Sequence, residues 1–331
     1  AMVNGGETGI NGRLTADIVV NMGVLSSDGT LNGNGFKFIQ WTPIGTEEKP
    51  YKGTFNGNGH TISGLYFNDE NVDYVGLFGF ISDMAKVWNV GVVDSYIKGL
   101  EYVGGVVGFN ARGGTIRYVY NTGTVSGTDS RVGGVVGNNS GTVSNVYNTG
   151  AVSGDGWVGG VVGDNGGTVS NVYNTGAVSG EDGVGGVVGE NDGNISNVYN
   201  TGAVSGRTEV GGVVGVNDYT GTVSNVYNTG TVSGDNIVGG VVGQNLSGSV
   251  SNVYNTGAVS GYVYVGGVVG NNDGGSVENA YYNTDFYTGD AVGTCDGECE
   301  YENVEGKTTA ELASTTLPAG FSGEIWNAGS G

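Results

Sequence analysis

A phrase of some two dozen residues, VGGVVGNNSGTVSNVYNTGAVSG from Val132, is written again from Val158 and from Val184 with hardly a letter changed. The hexapeptide VGGVVG begins at Val103, Val132, Val158, Val184, Val210, Val238 and Val265. A second marker, YNT, begins at Tyr120, Tyr147, Tyr173, Tyr199, Tyr227, Tyr254 and Tyr282 and keeps the same rhythm. Steps of 26 to 29 residues between copies are the signature of one unit stacked many times. A reaction centre needs a single constellation of unlike groups, so a phrase repeated this often encodes packing before chemistry.

The choice lies between helical repeats and a β-solenoid. VGGVVG and NTGAVSG are saturated with glycine and β-branched residues, the wrong choices for a helix interior. Each repeat instead holds three short apolar stretches, VGGVVG, TVSNVY and AVSG, separated by Asn, Asp, Gly and Ser, which supply turns. Glycine accounts for 70 of 331 residues with only 3 prolines, and without a Gly-X-Y period the chain is not collagenous. The pattern predicts an all-β, single-stranded parallel β-helix of about 26–28 residues per coil. Its hand is expected to be right, as parallel crossovers prefer. Stacking at about 4.8 Å places each residue over its counterpart. Seven clear coils and a few diverged ones then form a rod body of roughly 45–50 Å. Val169 should face inward between Val143 and Ile195, with Ser170 outward. Asn145, Asn171, Asn197, Asn225 and Asn252 are expected to form an amide ladder, and Tyr147, Tyr173, Tyr199, Tyr227 and Tyr254 an aromatic one.

Four regions follow from the pattern. Residues 1–50 carry larger apolar side chains (Leu31, Phe36, Phe38, Ile39, Trp41, Ile44) and no repeat, and read as an N-terminal cap with a first wide coil. Residues 51–102 are diverged repeats, with Ile62 and Leu65 expected where Val143 and Val146 stand. Residues 103–284 hold the seven regular repeats. Residues 285–331 read as a C-terminal cap, with a capping box at Thr308 and Glu311 opening a short helix and Leu317, Phe321 and Trp326 plugging the end. Ala1 ahead of Met2 reads as a cloning remnant on an excised fragment.

Charge is sparse and one-sided, with 11 basic and 32 acidic residues for a net charge of −21. That argues against a nucleic-acid partner, which wants a basic face. No apolar run reaches the roughly 18 residues a membrane helix needs, so no membrane insertion is expected of this fragment. The two cysteines, Cys295 and Cys299, stand in CDGEC, and two thiols cannot fill a four-ligand structural zinc site alone. A short-range disulfide is the favoured reading, and it implies an oxidising compartment.

Together these residues resemble a known family. VGGVVGxNxG followed by VSNVYNTGAVSG is similar to the GLUG repeat of large bacterial and archaeal surface proteins. FNGNGHTISGL followed by VGLFG resembles the segment that commonly precedes such repeats. The resemblance spans roughly residues 40–285. It implies an extracellular or cell-surface β-helical module of the kind found in adhesin-like proteins and in non-catalytic parts of some immunoglobulin A proteases, and it brings no catalytic residue with it.

The expected function is therefore a non-enzymatic surface stalk or binding scaffold, with no catalytic residues, no metal and no cofactor. The expected partner is a glycan or a host or cell-surface protein, and the expected state is a monomer. The alternative is a carbohydrate-active β-helix enzyme. Such enzymes gather carboxylates and a basic residue in one groove, whereas here Asp and Glu sit singly at corners and Arg117, Arg131 and Arg207 are scattered. His60, the sole histidine, lies in a turn-then-strand context that suits a structural role. The run from Glu190 to Asn194 looks ligand-like but lacks the spacing of calcium-binding β-rolls. Sequons stand at Asn138, Asn194 and Asn245. The threonines at 149, 175, 201, 229 and 256 are expected to form a hydroxyl ladder rather than an ice-binding face. Two corners, after each VSG and after each VVG, vary from copy to copy, so specific binding belongs there.

Overall fold

A computed structural model describes residues 2–33 and 35–312. The chain winds as a parallel β-solenoid, with four sheets running along its length, of 13, 9, 8 and 7 strands. One regular coil contributes Val132–Gly133, Val136–Asn139, Thr142–Asn148 and Val152–Ser153, one strand to each sheet. Among the described residues the paired strands of successive coils run parallel, and Val143, Val169 and Ile195 stand one above another as the repeat requires. Val169 is fully buried and Ser170 half-exposed, so the two residues face opposite sides of the sheet.

A coil has four strands rather than three because VGGVVG divides at its paired glycines. The chain doubles back there, and two strands pack backbone against backbone. A Cβ on Gly133 would lie 1.9 Å from the Val136 carbonyl oxygen, and one on Gly137 would lie 2.6 Å from that of Gly108. Only glycine permits such an approach. The fold-back splits the interior in two. Val135, Val136, Val143 and Val146 with their counterparts form the main core. Val132 and Val152 with theirs form a second, narrower one.

Each long strand is broken by one residue in left-handed backbone. Asn145, Asn171, Asn197, Asn225 and Asn252 have φ between 54 and 56°, a region Asn tolerates better than most side chains. The bulge brings Ser144 and Asn145 outward together while Val143 and Val146 both remain in the core.

At the N-terminal end larger side chains widen the core. Phe55 and Tyr51 pack on Phe78 with ring centroids 5.3 and 5.0 Å apart, and Trp41 and Ile44 lie against the same cluster. Phe36 and Ile39 are instead at the surface, 92% and 69% exposed. The register of the diverged coils differs from the expectation. Phe55, through Val87 and Ile116, heads the Val143 column. Ile62 pairs with Val92, which pairs with Asn121. It therefore stands, with Ile18 before it, in a column that turns from aliphatic to amide. The turn Gly57–His60 separates the strands Thr54–Asn56 and Thr61–Ser63, which pair with the two ends of the single strand Lys86–Val93.

At the other end Thr308 and Glu311 bond reciprocally around the start of the helix Thr309–Leu312. Leu317, Phe321 and Trp326, read from sequence as a plug, lie outside the described residues, as does Ala1.

Candidate functional site

The tyrosine column is continuous. Neighbouring rings from Tyr120 through Tyr254 stack with centroids 4.9–5.1 Å apart and planes within 5° of parallel. Burial between adjacent rings pushes the phenols of Tyr147, Tyr199, Tyr227 and Tyr254 above their ordinary pKa. Such a column uses its ring faces on itself and shows only edges outward.

The asparagines behave differently from the sequence reading. Asn145, Asn171, Asn197, Asn225 and Asn252 occupy the bulge and form only a partial ladder at the surface. Asn197 donates to Asn171 at 3.4 Å and Asn252 to Asn225 at 3.2 Å. Two other asparagines per coil make the buried ladders. Asn121, Asn148, Asn174, Asn200, Asn228 and Asn255 are at most 1% exposed, and each Nδ2 donates to the next Oδ1 at 2.9–3.0 Å. Asn110, Asn139, Asn165, Asn191, Asn217, Asn245 and Asn272 form the second, at 2.7–2.8 Å. The signal was present in the letters NTG and VGxN. What hid it is that a wholly buried amide is permitted only when every donor and acceptor is met, and the sequence does not display that closure.

The ladders decide several other candidates. Asn191 is committed to Asn217 and to the Gly193 carbonyl, so the run Glu190–Asn194 does not offer a free ligand set. Among the described residues no group of three or more His, Cys, Asp or Glu is placed to hold a metal ion. Asn245 is buried within its ladder and Asn138 is 9% exposed, leaving Asn194 as the exposed sequon. Thr149, Thr175, Thr201 and Thr229 are exposed and Thr256 half-exposed. His60 contacts Asp17 at 3.3 Å near the N-terminal end. Cys295 and Cys299 are joined in a disulfide.

The corners hold the individuality. Arg131 lies between two rings, 5.0 Å from that of Tyr102 and 4.4 Å from that of Trp157. Its guanidinium pairs with Glu101 and, at 3.0 Å, with Asp164. Asn138 donates to the same Asp164 oxygen at 2.7 Å. One coil on, Glu190 stands in register with Asp164. Burial, reinforced by Asp164, Asp192 and Asp218, pushes its carboxyl up to about 8, against the weaker pull of Arg131. Burial likewise raises Asp164, while Arg131 and Asn138 oppose the rise. Residues that look scattered in sequence therefore meet here: Arg131 and two carboxyl groups from successive coils. Arg207, in the corresponding segment after VSG further along, pairs with Glu181 and Asp182.

The family model described as the GLUG motif matches residues 99–126 and 206–233. Two of this chain's repeats are GLUG motifs. Halomucin from Haloquadratum walsbyi is 38% identical over 125 residues, covering 38% of this chain and 1% of that protein. A protein provisionally described as a Gly-rich membrane protein, from Evansella cellulosilytica, is 36% identical over 99 residues, covering 30% of this chain and 8% of that protein. The chain thus spans only a small part of either relative. A solved chain provisionally described as an immunoglobulin A1 protease from Bacteroides ovatus is 20% identical, with a TM-score of 0.43 over 92% of this chain and 80% of that one.

Proposed function

We propose that this chain is a non-enzymatic module of a cell-surface or secreted protein, serving as a stiff stalk and as a scaffold for binding a glycan or a surface protein, in the manner of an adhesin. The observation that carries this reading is the pair of buried amide ladders running coil after coil through the interior. They hold the solenoid together along its axis, a property suited to a spacer that keeps its shape under load. One relative is described as a membrane protein, which agrees with a surface location.

A second reading, a glycan-cleaving solenoid, has one observation in its favour. Asp164 and Glu190 stand on adjacent coils beside Arg131, and the Glu190 carboxyl is held protonated near neutral pH, as a general acid would be. Incubation with a panel of polysaccharides and proteins, read by new reducing ends and new amino termini, separates the two. The scaffold reading expects no turnover. Catalytic cleavage that disappears in Glu190→Gln would overturn it.

A further inference from the structure

The second variable corner, the one that follows each VSG, carries a depression of about 350 Å³ spanning three coils, with Ser205, Ser233, Ser260, Asp235 and Tyr262 in its lining. That volume falls in the range of small-ligand sites, roughly 300–1,000 Å³. Three features give it a chemical character. The serines are the outward residues of the short strands Val204–Ser205, Val232–Ser233 and Val259–Ser260, stacked in register. Tyr262 is 86% exposed and is fixed at its backbone, where its N–H donates to the Asp235 carbonyl at 3.1 Å. Arg207, the corner residue one coil below Asp235, is turned toward Glu181 and Asp182. The Asp235 carboxylate is left without an ion pair among the described residues.

An exposed phenol ring beside a row of hydroxyls and an unpaired carboxylate is a surface suited to a pyranose ring. The C–H face of a sugar packs on an aromatic ring, whose body is apolar and whose tip is polar. A carboxylate accepts hydrogen bonds from vicinal hydroxyls, and serine hydroxyls both donate and accept. An uncompensated carboxylate on a chain of net charge −21 disfavours uronic and sialic acids by like-charge repulsion. We propose that this depression binds one neutral pyranose unit of a glycan, with Tyr262 as the stacking platform and Asp235 as the hydroxyl acceptor. The proposal rests on the reading of the chain as a binding scaffold and names the ligand class and the place.

The test is saturation-transfer NMR on the whole chain with the methyl glycosides of glucose, galactose, mannose and N-acetylglucosamine, and with glucuronic acid as the charged comparison. Transfer to at least one neutral glycoside is expected, falling about tenfold or more in Tyr262→Ala and in Asp235→Ala. Tyr219→Ala, which removes an exposed tyrosine at the other corner (71% exposed), should leave it unchanged. Circular dichroism confirms that each variant is folded, and Asp235→Asn replaces Asp235→Ala if the latter is not. Absence of transfer from every neutral glycoside overturns the proposal. So does transfer that survives both variants, or glucuronic acid binding as well as the neutral sugars. None of these outcomes touches the scaffold reading, which falls only on turnover.

Discussion

Glu190 shows how one side chain can stand against the repeat that carries it. Its neighbours along the column are Asp164 on one side and Val216 on the other, so it has an acid below it and an aliphatic group above. Burial and three nearby carboxylates raise it from 4.5 to about 8. At low pH the folded and unfolded chains both hold the proton, and nothing is lost. As pH rises from about 4.5 to about 8 the unfolded chain ionises first, so the folded state binds more protons and stability falls, levelling off above that window. Glu190→Gln removes the decline. Its melting temperature should match that of the parent near pH 4 and exceed it at pH 9, by the equivalent of about 1–2 kcal/mol once solvent screening at a half-exposed site is allowed for. Unchanged pH profiles in thermal unfolding would show that the carboxyl is solvated.

At the scale of an element, the long strand Asn194–Asn200 holds asparagines with opposite duties. Asn200 accepts from Asn174 and donates to Asn228, both at 3.0 Å, and also bonds the Gly202 backbone. Asn197 is exposed, with φ at 56°. Asn200→Ala strands several buried groups and should cost about 3 kcal/mol in denaturant unfolding. Asn197→Gly keeps the left-handed backbone available and should stay within about 0.5 kcal/mol. Asn197→Ala should cost about 1 kcal/mol, because alanine lacks the short polar side chain whose local hydrogen bonding lets asparagine adopt left-handed backbone. Equal losses at the two positions would mean that the buried ladder is not what binds the coils. The same reasoning explains the misplaced expectation. All three asparagines of a repeat recur with the same period, and period alone does not say which two face the interior. The left-handed bulge shifts the inward and outward alternation within the strand, so a count by twos from Val143 fails beyond Ser144.

For the whole molecule, the solenoid behaves as a stack of like coils, each paired strand to strand with the coil on either side. Removing residues 184–209 deletes one 26-residue period (210 − 184 = 26) and sets Val223 over Val169, Asn228 over Asn174 and Tyr227 over Tyr173. The shortened chain should fold, keep the far-ultraviolet circular dichroism of the parent per residue, and lose about 4.8 Å of length in small-angle scattering. An unfolded or aggregated product would show that the coils are not interchangeable.

The period, the strand-forming composition and the glycine placement determined by themselves that this chain would be a parallel solenoid, because every coil must present the same residues to the next. They also determined that Val143, Val169 and Ile195 would share a column and that the tyrosines would stack. Only the tertiary structure decided what depends on contacts between residues distant within a coil. The doubling back at Gly133 and Gly134, which makes four sheets and two cores, follows from backbone packing that no local pattern reports. The meeting of Arg131 with Asp164, 33 positions on in the chain (164 − 131), brings the segment after one VSG against the segment after a later VVG, with Glu190 stacked over Asp164. A repeat makes its own geometry legible because its contacts are encoded many times over. A corner is written once, and its neighbours are known only when the chain has closed around it.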